Sequence, residues 1–289
     1  MSVKPILTQI KKILRNLYFL CFLNGVLLTS LFYFAIESKY ETELFSIIAR
    51  KIQTQLPVNH SQSDFAIKAM HTAYELQEKR YLMFGNQELN GIKANILHPS
   101  TVDLMTGNGA CGSYTTVLCR ILKSNDMKVR IGQMKVNSFY GGHMFVETKT
   151  EKGWIVLDPM FNLYFKKTDG QPAGFADLNS NWSYYKTQLS PDYKPEYAYE
   201  GVRYTNWDKI PGVTTSIKSI LNFVLGKDKA DLISIRPYLL RIYNKLSWLT
   251  FFIWLLLFSY TIKTFRRKYK KPVLKIVGAS ENEQKTSAG

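Results

Sequence analysis

Two uncharged apolar segments constrain this chain more than any other feature of its sequence. The first, from Leu17 to Ile36, is twenty residues long, and at about 1.5 Å per helical residue it matches the roughly 30 Å hydrocarbon thickness of a bilayer. The second runs from Leu246 to Ile262 and is rich in Trp, Phe and Leu. A buried core helix is the alternative for each segment, but basic residues flank both in the manner of membrane anchors. The sequence therefore predicts transmembrane helices at 17–36 and 246–262.

The net charge of +16 lies mostly at the two ends of the chain. Residues 1–16 contribute +4 and residues 263–289 contribute +6, which leaves +6 for everything between them. Because Lys and Arg beside membrane spans stay on the cytoplasmic side, this placement explains the charge without a nucleic-acid partner. We therefore expect two cytoplasmic basic tails and one extracytoplasmic domain at 37–245, in a two-pass membrane protein.

The first span is expected to remain attached as a signal anchor. Its apolar run is longer than the ~7–15 residues of a cleaved signal peptide. The segment Phe34-Ala35-Ile36 also lacks the small-x-small pattern of a cleavage site.

The three cysteines do not form a disulfide framework. Cys21 lies in the first span, while Cys111 and Cys119 are eight residues apart on one predicted helix. The helical rise separates them by about 12 Å, which is too far for a disulfide. A free thiol in an oxidising compartment therefore needs another role.

Apolar spacing divides the middle domain into helical and irregular parts. Helical periodicity follows the first span at 40–56 and begins again after Asp64, which suits an N-cap. Gly, Asn and Pro predict a loop at 85–109. The aromatic-rich stretch at 179–207 has no clean period, which favours a surface-packed loop, with a substrate-binding wall as the alternative. Residues 214–225 are predicted to be helical.

The centre of the chain predicts one helix followed by three strands. The helix begins at Ala110, so that Cys111 lies in its first turn. Val129–Val136 alternates as a strand, and strands at 143–148 and 154–158 are joined by the polar loop 149–153. If Glu147 pairs with Trp154, antiparallel register places His143 directly opposite Asp158 on the same face. A slip of one residue would turn one partner away.

Cys111, His143 and Asp158 then have the residue types of a thiol catalytic triad. A thiol attacks an amide as thiolate, and an adjacent imidazole together with a helix N-terminus lowers its pKa. His143 would exchange the proton with the thiol and the leaving amine, while Asp158 would fix the imidazole tautomer. Backbone N–H groups around Cys111 and Gly112 could stabilise an oxyanion, and Gly141-Gly142 would leave room for substrate.

Three motifs around these residues resemble the transglutaminase-like superfamily. They are Gly109-Ala110-Cys111-Gly112-Ser113, Gly142-His143-Met144-Phe145-Val146-Glu147 and Gly153-Trp154-Ile155-Val156-Leu157-Asp158-Pro159. The resemblance implies an α+β, papain-like core in which the helix bearing the cysteine packs on an antiparallel sheet, here flanked by two transmembrane helices. Such domains include cross-linking transamidases, peptidases, deglycosylating amidases and inactive scaffolds.

Two functional hypotheses follow from the sequence. The first is a membrane-anchored thiol enzyme that acts on a peptide or protein amide outside the cytoplasm, by hydrolysis or acyl transfer. The second is a catalytically silent binding or assembly module of an envelope or surface-polymer system. The triad needs no cofactor, and His60, His71 and His98 lack metal-ligand spacing with the cysteines, so no metal is expected either.

Overall fold

The computed structural model describes residues 16–85, 87, 89–107, 110–207 and 214–269, without the side chains of 214–217 and 228. Most of the two predicted basic tails, at 1–15 and 270–289, lies outside this range, as does Gly109 of the cysteine motif. The chain forms two compact units. Among the described residues, one unit is built from the segment 39–242 and the other from the segments 16–38 and 243–269.

The helices and strands follow one another in a regular order. They are α1 (Leu17–Thr54), α2 (Gln62–Phe84), a π-helical turn (Lys93–Leu97), α3 (Ser100–Thr106), α4 (Cys111–Ser124), β1 (Val129–Val136), β2 (Phe139–Thr150), β3 (Gly153–Asp158), β4 (Leu163–Tyr164), α5 (Phe175–Ser180), α6 (Trp182–Tyr185), a 3-10 turn (Lys186–Gln188), β5 (Val202–Arg203), α7 (Thr214–Leu225), α8 (Lys227–Asp231), α9 (Arg236–Leu239) and α10 (Ile242–Tyr269).

Helices α1 and α10 are both long and apolar enough to cross a membrane. The separate helix predicted at 40–56 is wrong in its start, because α1 continues without a break to Thr54. No Gly or Pro interrupts residues 26–54, so the polar segment after the apolar run can remain helical. Within the terminal unit, the Asn24 amide Nδ2 donates to Thr261 Oγ1 at 2.9 Å, which joins the two apolar helices by a polar contact.

Helix α2 of the middle unit begins with a capping box. The Ser61 hydroxyl accepts from the Asp64 backbone N–H, and the Asp64 carboxylate accepts from the Ser61 N–H. The N-cap of α2 is therefore Ser61, and the predicted cap at Asp64 is wrong by three positions. The loop predicted at 85–109 is also wrong in part, because it contains the π-helical turn and α3.

A five-stranded antiparallel sheet with the order β4-β3-β2-β1-β5 forms the centre of the middle unit. Helices α2 and α4 pack on one face of it, against Val146, Ile155 and Leu157. The opposite face carries Phe145 and Val156 and is covered by the segment after β4. This architecture is α+β, and the helix that bears Cys111 packs on the sheet.

The β2–β3 hairpin has a register two residues away from the predicted one. Glu147 pairs with Val156, and Trp154 pairs with Lys149. The strands run further than expected, because Thr150 pairs with Gly153 and leaves a turn of only two residues, Glu151 and Lys152. A shift of two residues preserves the face on which each side chain lies.

Candidate active site

Cys111 is the first residue of α4, as the sequence predicts. It follows Ala110, whose positive φ of 44° turns the chain sharply into the helix without a side-chain cap. The thiol is half-buried, so it keeps access to solvent. A cysteine in this position lies near the positive end of the helix dipole, which favours the thiolate.

His143 is placed by an irregularity in β2. Met134 pairs with His143 and Lys135 with Tyr140, so two extra residues, Gly141 and Gly142, bulge out of β2 immediately before the histidine. Gly141 has a φ of +105°, a conformation that favours glycine. A Cβ on Gly142 would lie 2.7 Å from Val136 Cβ. The structure therefore accounts for Gly142 by its close packing against β1, in place of the room for substrate that the sequence suggested.

The imidazole of His143 is hydrogen-bonded to the carboxylate of Asp158. Nε2 and Oδ2 are 2.6 Å apart, and both side chains are 0% exposed. In the observed register Asp158, at the end of β3, lies across from Phe145. His143 is therefore its diagonal neighbour two residues along, still on the same face. The predicted directly opposed pair is wrong, but the predicted contact between the side chains is present.

Cys111 lies close enough to the imidazole for the two groups to interact. The interaction between them changes both pKa values, although Nδ1 of His143 has no hydrogen-bond partner of standard geometry among the described residues. This contact is therefore looser than the His143–Asp158 bond, as catalytic contacts often are before substrate binds. The structure thus brings all three predicted site residues together.

Charges across the site favour a thiolate beside an imidazolium. Burial alone would raise the pKa of Cys111, but the hydrogen bond and charge of His143 and the backbone N–H of Met144 lower it overall. Burial lowers the pKa of His143, and the charge and hydrogen bond of Asp158 outweigh it and raise that pKa to about 9. Near neutral pH the imidazole is therefore protonated.

An aromatic cover encloses His143, and the sequence offered a role in the site for the 179–207 stretch only as the alternative to a surface-packed loop. The Tyr197 ring stacks on the imidazole at 4.5 Å between centroids and 10° between planes, and Phe161 meets it edge-on at 5.5 Å. The Tyr193 hydroxyl donates to Asp158 Oδ2 at 3.2 Å. Tyr193, Tyr197 and Tyr199 are buried, so a surface-packed loop is the wrong interpretation for this part of the 179–207 stretch. Its density of tyrosines was the only signal available in the sequence.

A cleft of about 270 Å³ opens beside the first turn of α4. The residues that line it include His98, Asp103, Gly112, Ser113, Met144 and Arg236. Gly112 is the residue after Cys111, whereas the Met144 side chain lies on the opposite face of β2 from His143, and neither Cys111 nor His143 is among the residues that line the cleft. None of His98, Asp103 and Arg236 was assigned to the site from the sequence, because His98 and Asp103 lie in the predicted loop 85–109 and Arg236 is remote from Cys111 along the chain.

No protein-family model, curated protein or solved structure matches this chain. The resemblance to transglutaminase-like domains is therefore an expectation from the three sequence motifs alone. In the described part of the chain, no group of three or more His, Cys, Asp or Glu side chains could hold a metal ion.

Proposed function

We propose that this chain is a membrane-anchored thiol enzyme with a transglutaminase-like, papain-like core that acts on amide bonds. The observation that carries the proposal is the half-buried Cys111, at a helix N-terminus, whose pKa is lowered by an imidazole that is itself bonded to a buried carboxylate. Perturbed pKa values in such an ordered set are typical of nucleophilic sites.

The proposed reaction uses each member of the set at a defined atom. The Cys111 thiolate attacks the amide carbonyl carbon, forming a C–S bond while the carbonyl electrons move to oxygen, where first-turn N–H groups of α4 can stabilise them. When the tetrahedral intermediate collapses, the C–N bond breaks and the amine leaves with the proton from His143 Nδ1. Because Nε2 is bonded to Asp158, Nδ1 is the nitrogen that remains for this transfer.

The second half of the reaction regenerates the enzyme. Water or an amine acceptor attacks the thioester carbonyl and gives its proton to His143. The Cys111 sulfur then leaves as thiolate, which completes either hydrolysis or acyl transfer. The substrate we propose is a peptide or protein amide outside the cytoplasm, and the arrangement requires no cofactor.

The pH dependence of Cys111 alkylation tests this proposal. For the full-length protein in detergent micelles, we expect iodoacetamide to label Cys111 with an apparent pKa below the ordinary thiol value of about 8.5. His143→Ala should abolish this shift. The matched control is His60→Ala, since the His60 ring hydrogen-bonds the Pro57 carbonyl oxygen. An ordinary thiol pKa for Cys111 in the unmodified protein would instead support the catalytically silent binding or assembly module.

A further inference from the structure

The cleft beside Cys111 is lined by more positive than negative groups. Its charged side chains are His98, Asp103 and Arg236. Hydrogen bonding to Asp103 raises the pKa of His98 to about 9, even though burial opposes it. His98 is therefore cationic near neutral pH, and the cleft has two cations against one carboxylate.

The single carboxylate is already engaged by its own neighbours. Asp103 is buried, accepts from the Ser113 hydroxyl at 2.6 Å, and lies 3.2 Å from Nε2 of His98. These contacts hold its charge on the helix side of the cleft. Arg236 is consequently the group whose charge is left to face a ligand.

The Arg236 guanidinium lies over the first turn of α4. A Cβ built on Gly112 would be 3.7 Å from its Nη2, so the cation is one residue from the thiol. Its Nη1 contacts Met144 Sδ at 2.8 Å, and a thioether is only a weak acceptor. Within the described residues, no carboxylate forms an ion pair with Arg236. A guanidinium without an ion-pair partner can bind a carboxylate through two parallel N–H···O hydrogen bonds.

We propose that this cleft binds a carboxylate of the substrate, so that the enzyme selects amides with an acidic group next to the carbonyl that Cys111 attacks. The inference rests on the proposed function and names its substrate class. Arg236 supplies the two-point contact, and His98 contributes a second positive charge. Gly112 contributes by its lack of a side chain, because a larger residue would fill the space between Arg236 and the helix.

The test compares an anionic with a neutral alkylating reagent of similar size. In the full-length protein in detergent micelles, the ratio of iodoacetate to iodoacetamide rate constants at Cys111 should exceed that of the denatured chain. Arg236→Gln should lower this ratio about tenfold, the effect expected for one lost contact to a charged group. Arg241→Gln removes the same charge from an exposed residue that bonds Thr42, and it should leave the ratio unchanged.

A competition measurement keeps the test independent of the variants' folding. In the unmodified protein, acetate should slow iodoacetamide labelling of Cys111, and acetamide at the same concentration should not. If the thiol pKa is lowered but the ratio of rate constants is unchanged in Arg236→Gln, this inference is wrong and the proposed function stands. The same conclusion follows if the thiol pKa is lowered and acetate gives no protection. If both reagents give Cys111 an ordinary thiol pKa, the proposed function is wrong and the inference falls with it.

Discussion

Two thiols on one helix have opposite environments, which provides an internal comparison. Cys119 is fully buried in α4, and burial raises its pKa to about 12, whereas the pKa of Cys111 is lowered. At about pH 8, roughly 10⁻⁴ of Cys119 would be thiolate even if reagent could reach it. We expect native protein to be alkylated at Cys111 at least about 100-fold faster than at Cys119, as measured by peptide mass spectrometry. Denaturant should remove the difference, and similar native rates would contradict the described burial.

Asp158 controls the protonation of His143, so its charge should set the pH profile of the site. In Asp158→Asn the raising effect of the carboxylate is lost and burial then lowers the imidazole pKa. At pH values between about 6.5, the usual imidazole pKa, and about 9, His143 is therefore neutral in the variant and charged in the unmodified protein. Alkylation of Cys111 by iodoacetamide near pH 7 should fall by about tenfold or more. Asp169→Asn at an exposed site is the control, and an unchanged profile in Asp158→Asn would exclude the triad role.

Tyr193 supports the same carboxylate from the aromatic cover. Tyr193→Phe removes a hydroxyl that donates to Asp158 and lies 3.3 Å from the Tyr199 hydroxyl. Losing a hydrogen bond to a buried charged group should lower the free energy of unfolding by about 1.5–3 kcal/mol. The urea dependence of Cys119 labelling measures this, with Tyr184→Phe at a half-buried position as control. Equal midpoints for both variants would show that the hydroxyl contributes nothing.

The sequence predicted the three central site residues because their order and motif context constrain one another. Tyr193, Tyr197 and Arg236 could not be found in the same way. The tyrosines lie in an irregular segment without periodicity, and Arg236 reaches the site by a contact with Met144 across 92 positions of the chain. Such long-range packing leaves no local pattern in a single sequence.

At the scale of the elements, helices and strands were predictable where periodicity is strong and turns were not. Strand β1 and helix α7 have the predicted bounds. The β2–β3 turn does not, because a polar run with glycine suited both a five-residue loop and the observed two-residue turn. Gly153, with a φ of +117°, closes the shorter turn as a paired strand residue. The contact between His143 and Asp158 survives this error because the side-chain period of a strand is two.

The bulge before His143 should be sensitive to a single methyl group. Gly142→Ala would place its Cβ against Val136, and relief of this overlap should cost about 1–3 kcal/mol of stability. Because the bulge positions the His143 imidazole, the alkylation rate of Cys111 near neutral pH should fall as well.

Gly201→Ala is the matched control for the bulge, since its Cβ would make only ordinary contact with Lys135 at 3.4 Å. Cys119 protection reports the stability of both variants, and Cys111 alkylation reports the geometry of the site. Equal results for Gly142→Ala and Gly201→Ala would mean that the close approach to Val136 does not position the histidine.

For the whole molecule, the two apolar helices and the basic ends predict a topology. Reporters near Lys12 and Arg267 should be cytoplasmic, and a reporter joined after residue 160 should be active only outside, because two spans would return the chain to the side on which it began. Activity of a cytoplasmic reporter after residue 160 would rule out this topology and with it an extracytoplasmic substrate. Lys12 lies outside the described residues, so this prediction rests on the sequence and on the two helices.

The aromatic cover of His143 has a kinetic consequence for the proposed enzyme. Because the imidazole is fully enclosed, with Tyr197 over one face and Phe161 at its edge, the groups that exchange protons with it must approach past the Cys111 sulfur. The departing amine and the incoming acceptor would then use one entrance in turn. Initial rates should follow a double-displacement pattern, with parallel lines in reciprocal plots when acceptor and amide concentrations are varied. The released amine should compete with the acceptor for the thioester.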